Sequence, residues 1–143
     1  MIDLDRCIAE GLLRRIPPSA RQAEEQMKKS HVLLEEAKKS LRAGAPNSAF
    51  ISAYASALDA ARAVLFNDGY REKSHACVAR YLEAKYSKAL GASLIDLFDQ
   101  YRDTRHKTMY SGVYYPTVEE AKRVILFAEE FTSRIRDLLK RRV

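Results

Sequence analysis

The stretch Pro46 to Asn67, PNSAFISAYASALDAARAVLFN, decides the fold. It opens on a proline suited to a first helical turn, and Gly69 follows where a left-handed residue closes a helix. Between those signals it is apolar almost all round, which is the pattern of a helix enclosed by others rather than one lying on a surface. Ala49, Ala53, Ala57, Ala60 and Ala61 allow neighbouring helices to approach closely, while Phe50, Tyr54, Leu58, Leu65 and Phe66 fill the spaces between them. Asp59 and Arg62 are its only interior charges, three residues apart, so they can pair with each other, or Arg62 can reach a partner on another helix.

The segments on either side supply the enclosing helices. Upstream, Ser19 caps a long helix to about Arg42, with Ala23, Met27, Ser30, Leu34, Ala37 and Leu41 on its apolar face. His31 lies just off that face and reads as a boundary residue. Before it, residues 3 to 15 form a short helix burying Leu4, Ile8 and Leu12, stopped by Pro17 and Pro18. Downstream, Ser74 caps a helix to about Ser87, with Val78, Tyr81, Leu82 and Tyr86 inward. A link at Gly91 to Ser93 leads to another helix, ending near Gly112. The segment VYYP, Val113 to Pro116, is extended because the residue before proline avoids the helical region. Thr117 and Glu120 then form a capping box for a last helix carrying Val118, Ala121, Ile125, Ala128, Phe131, Ile135, Leu138 and Leu139. No segment shows period-two alternation. The expected fold is therefore all-α: an up-and-down bundle of four to five main helices, with residues 1–17 as an N-terminal arm and residues 18–143 as a single domain.

A chain of 143 residues can bury one core without staples. Its net charge of +6 suits a polyanionic partner, but the basic residues are spread along the chain and into Lys140-Arg141-Arg142, so the excess reads first as solvation. Cys7 and Cys77 are far apart and lack a Cys-x-x-Cys spacing, so neither a disulfide framework nor a zinc site is expected, and a reducing cytoplasm is the default. No uninterrupted apolar run approaches membrane-spanning length.

Chemistry concentrates in FDQYRDTRHKTMY, Phe98 to Tyr110. On a helix, Leu94, Phe98, Tyr101, Arg105 and Met109 form one stripe, with Arg102 at its edge and His106 and Tyr110 flanking it. An arginine in an apolar stripe must pair, reach water or line a cleft, because a dry unpaired charge costs several kcal/mol. Two readings follow. Arg105 bonds Asp59 or a backbone carbonyl as scaffold, or it helps build a cationic pocket for phosphate in which His106 exchanges protons. Glu72 and His75 have the Glu-x-x-His spacing of di-iron bundles, yet such a site needs two of these pairs and two more glutamates, so no metal is expected.

The alanine-rich helix SAYASALDAARAVLFNDGY, the segment GYREKSH from Gly69 to His75, and the Arg-x-x-x-x-Tyr stretch from Arg105 to Tyr110 occur in that order. In this the chain resembles the HEPN family of small helical bundles, in particular its short, stand-alone prokaryotic members. The resemblance implies a homodimer whose motif helices face each other, often beside a minimal nucleotidyltransferase in a toxin and antitoxin pair, and many members cut RNA without metal. On that basis Arg102, His106 and Tyr110 are the expected catalytic residues, and Arg105, Arg102 and His75 the expected phosphate or nucleotide contacts, with no cofactor. The family's ribonuclease pattern places four to six residues between Arg and His, whereas Arg102 and His106 have three between them and Arg105 has no histidine downstream within reach. A non-catalytic module binding a nucleotidyltransferase or a nucleotide, and a purely structural dimer, therefore stand beside the ribonuclease reading.

Overall fold

The computed structural model describes residues 2–141. Six helices follow in chain order: α1 (Leu4–Ala9), α2 (Ala20–Arg42), α3 (Pro46–Asp68), α4 (His75–Leu90), α5 (Ala92–Tyr110) and α6 (Val118–Arg141). The expected all-α bundle is present. α3 packs against α2, α4, α5 and α6, and fourteen of its residues are buried, including Phe50, Tyr54, Leu65 and all seven alanines but Ala55. Small side chains on α3 leave room for aromatic ones from its neighbours. Phe98 of α5 stacks between Tyr54 of α3, at 5.9 Å, and Phe131 of α6, at 4.9 Å between centroids. α2 is clasped to α3 by two reciprocal bonds at the buried pair Ser30 and Ser56, each hydroxyl donating to the other residue's carbonyl at 2.7 Å. α3 is also the one described helix long and apolar enough to cross a membrane, and here most of its apolar window is buried inside the bundle.

Three expectations are corrected. The N-terminal helix ends at Ala9 instead of running to residue 15, because Gly11 takes a left-handed φ of 71° and turns the chain. Its buried residue is Cys7, while Ile8 is 49% exposed. After the turn, β1 (Leu13–Arg15) pairs antiparallel with β2 (Tyr70–Glu72), in the register Leu13 to Glu72 and Arg15 to Tyr70. Three residues are too few to display the alternation by which a strand is recognised in sequence. Gly69 makes the ribbon possible: its φ is 92°, and a Cβ there would stand 2.9 Å from the Ile16 carbonyl oxygen, the residue whose N–H bonds the Gly69 carbonyl.

The third correction is a disulfide. Cys7 and Cys77 are bonded, with Cα atoms 5.8 Å apart and a sequence separation of 70, and both are fully buried. α1 brings one sulfur down onto the start of α4, where the other is held. The pairing removes the cysteine argument for a reducing compartment.

Candidate anion-binding cleft

The beginning of α4 and the second half of α5 face each other across a cleft of about 310 Å³. Lys73, Ser74, His75 and Ala76 line one side. Arg102, Arg105 and His106, from successive turns of α5, line the other. Both sides follow from local structure. Ser74 has the extended backbone of an N-cap but makes no side-chain cap bond, so the first turn of α4, whose residues line the cleft, keeps backbone N–H groups that this side chain does not satisfy. Residues three and four apart on α5 share a face, which puts Arg102, Arg105 and His106 together.

The arginines differ in their surroundings. Arg102 donates from Nε to Asp99 Oδ1 at 2.9 Å, and the other oxygen of Asp99 accepts from Arg80 Nη2 at 3.0 Å. That carboxylate joins α4 to α5 and holds Arg102 in place. Arg105 makes no hydrogen bond or ion pair among the described residues; the partner open to it on the scaffold reading, Asp59, is taken by Arg62 at 3.1 Å. Lys73 is likewise without an ion pair among the described residues. No carboxylate lines the cleft, so its cations are incompletely neutralised. A larger groove of about 820 Å³ between α2 and α6 contains His31, but there Lys28 and Lys38 are matched by Glu24, Glu35 and Glu129.

His75 is half-buried, and its Nε2 lies 3.5 Å from Arg62 Nη2. Burial, followed by the positive charge of Arg62, pushes its pKa below the ordinary value, with Glu72 opposing and Arg105 and Arg102 assisting. His106 is exposed, and its ring lies 4.8 Å from that of Tyr110. Tyr110 does not line the cleft: it is 69% exposed and points outward at the end of α5. Met109 is also 45% exposed, and Thr108 is buried in its place, so the inward stripe runs seven residues from Tyr101 to Thr108 instead of eight to Met109.

The structure thus brings Arg102, Arg105, His106 and His75 together and leaves Tyr110 outside. Sequence reasoning missed Lys73 as a member, and it missed the destination of Glu72. The Glu72 carboxylate accepts from Arg62 Nε at 2.8 Å, so the Glu-x-x-His spacing serves an ion pair. Among the described residues no three His, Cys, Asp or Glu side chains converge as metal ligands would.

A basic cleft opened by a helix N-terminus, inside an alanine-centred bundle, accords with one comparison. The family model described as HEPN domain matches residues 23–138. The chain belongs to the HEPN domain family. The match begins within α2 and ends near the end of α6, so α1 and the β1 strand lie outside it, whereas every residue of the cleft lies within the HEPN domain. No curated protein matches the chain in sequence.

Proposed function

We propose that this HEPN domain is an RNA-directed, metal-independent endoribonuclease that takes a backbone phosphate into the cleft between α4 and α5. The observation that carries the reading is the set of cations facing one small cleft with no carboxylate on its walls, beside an exposed histidine. Arg105 and Lys73 supply charge, Arg102 supplies a guanidinium held in orientation by Asp99, and the α4 N-terminus adds backbone donors. His106 provides the proton transfer that attack by a 2′-hydroxyl on the adjacent phosphorus requires. The bond formed is O2′–P, the bond broken is P–O5′, and the proton leaves O2′ and is returned to O5′. The products are a 2′,3′-cyclic phosphate and a 5′-hydroxyl.

The working unit is a homodimer. Met109 and Tyr110 at the end of α5, and Val113 and Tyr115 in the segment after it, are exposed and offer apolar surface to a second copy, which would bring two sets of α5 cations together. Its partner would be a minimal nucleotidyltransferase in a toxin and antitoxin pair.

End-labelled RNAs incubated with the purified protein in the presence of a chelator test the reading. Cleavage leaving cyclic phosphate ends is expected, falling by at least about a hundredfold in His106→Ala, the range of a lost acid–base group. An inert wild type, or an unaffected His106→Ala, would overturn it.

A second reading is favoured by one specific observation, the position of Tyr110. Its ring is exposed beside His106 and outside the cleft, which suits a side chain presented to a partner protein. The domain would then bind a nucleotidyltransferase without cutting RNA, and failure to co-purify with a co-encoded nucleotidyltransferase would remove this alternative.

A further inference from the structure

The two charges inside α3 find their explanation at the cleft. Arg62 has three kinds of guanidinium nitrogen, and each faces a different partner: Nε donates to Glu72 Oε2 at 2.8 Å, Nη1 to Asp59 Oδ1 at 3.1 Å, and Nη2 stands 3.5 Å from His75 Nε2. Two carboxylates, both more than nine-tenths buried as side chains, fix this guanidinium in one orientation. A guanidinium carries only donors and does not lose its proton in proteins. For that contact to serve as a hydrogen bond, the imidazole nitrogen facing it has to be the bare one, since an N–H at that position would confront another N–H. With Nε2 assigned as acceptor, the ring's proton resides on Nδ1.

We propose that Arg62 is a positioning residue for the cleft: it holds His75 as the neutral, Nδ1-protonated imidazole, so that His75 serves a bound phosphate as a hydrogen-bond donor while proton transfer falls to His106. This rests on the reading that the cleft receives an RNA phosphate. It gives the two histidines different tasks on physical grounds. His75 is half-buried and faces Arg62 of α3, Glu72 of β2, Lys73, and Arg102, Arg105 and His106 across the cleft, a set in which cations outnumber the single carboxylate. Asp59 accepts from Arg62 Nη1. His106 lies on the exposed rim, open to solvent.

Nitrogen-15 NMR of the histidine side chains in the whole protein tests the assignment, with His75 identified by the signal lost in His75→Asn. Nε2 is expected to resonate as unprotonated and Nδ1 as protonated at neutral pH, and the ring to titrate below the ordinary histidine range. In Arg62→Gln the titration moves up toward that range. Binding of a short non-cleavable RNA weakens by roughly tenfold, the size expected for loss of one hydrogen bond to a charged group. Arg62→Lys does not restore the tautomer, because an ammonium cannot reach three partners at once. If Arg62→Gln does not fold, Glu72→Gln removes one of the two carboxylates that hold the guanidinium and the charge that opposes the shift, so the His75 titration is expected to move the other way, further below the ordinary range. A wild-type ring protonated on Nε2, or a titration indifferent to both variants, overturns the inference even where RNA is bound and cut. Absence of RNA binding by the wild type overturns the reading of the cleft and the donor role with it, whatever the tautomer.

Discussion

Tyr54 shows how a single residue records the tension between core and cleft. It is 1% exposed, stacked on Phe98, and its hydroxyl is buried without a hydrogen-bond partner among the described residues. Burial pushes its pKa upward, opposed most by the charges of Arg102 and Arg105. A buried donor without a partner retains its desolvation cost. Tyr54→Phe keeps the ring and the stacking while removing that cost, and is expected to leave stability unchanged or raise it by up to about 1 kcal/mol in urea denaturation. A loss larger than about 1 kcal/mol would mean that the hydroxyl is bonded in solution. Arg105 shows what sequence can and cannot reveal at this scale. Its place among Leu94, Phe98 and Tyr101 marked it as a charge needing an explanation, but which explanation applied depended on Asp59, and Asp59 is taken by a residue on its own helix. Spacing within α5 contains no information about that competition.

At the scale of elements, the signals that proved legible are local ones. Ser19 accepts from Gln22 N–H at the start of α2, Pro46 opens α3, and Gly69 closes it in the left-handed region. The capping box before α6 is complete, with Glu120 N–H donating to Thr117 Oγ1 at 3.1 Å and Thr117 N–H donating to Glu120 Oε1 at 3.2 Å. The Tyr114 hydroxyl adds a third bond, to Glu120 Oε2 at 2.6 Å, which sequence did not suggest because VYYP shows only that the chain is extended there. Burial and this bond push the Tyr114 pKa up to about 12, and the same bond, ahead of those from Thr117, holds the Glu120 carboxyl below its ordinary 4.5. The sign follows from the depressed value. The stabilisation from Glu120 is fully present above pH 4.5 and is lost as pH falls through the lower folded-state pKa. Thr117→Ala is expected to cost about 1 kcal/mol at neutral pH, and Glu120→Gln to flatten the acid limb of the stability profile below that pH. An acid limb identical in Glu120→Gln and wild type would refute this account of the cap. Of the cleft, helical periodicity put Arg102, Arg105 and His106 on one face and the family resemblance added His75, but Lys73 stayed illegible, because periodicity says which residues share a face and not what that face meets.

Over the whole molecule, the arm brackets the cleft wall. Lys73 N–H donates to the Leu12 carbonyl at 2.9 Å on one side of the segment Lys73 to Ala76, and the Cys7–Cys77 bond ties the arm just beyond its other end. Two cysteines without a spacing motif gave no hint of this in sequence, since only the folding back of α1 onto α4 makes them neighbours. Closing a loop of about 70 residues removes chain entropy from the unfolded state worth roughly 4 kcal/mol on the loop-closure account. For a chain of this size that corresponds to a drop in Tm of roughly 10 °C when the bond is absent. Cys7→Ser and the reduced wild type are expected to show the same drop, with the bundle still helical, because the packing of α3 against α2, α5 and α6 does not involve the arm. α1 contributes one buried residue, Cys7 itself, so its amides lose protection from hydrogen exchange before those of α3 do. With one of its two ties gone the wall bearing Ser74 and His75 is expected to loosen, and on the proposed reading of the cleft the affinity for RNA to fall although no cleft residue has changed. Equal thermal stability in the oxidised protein, the reduced protein and Cys7→Ser would show that the bond does not hold the arm in solution. A stability loss with unaltered RNA affinity would show instead that the ribbon alone sets the position of the wall.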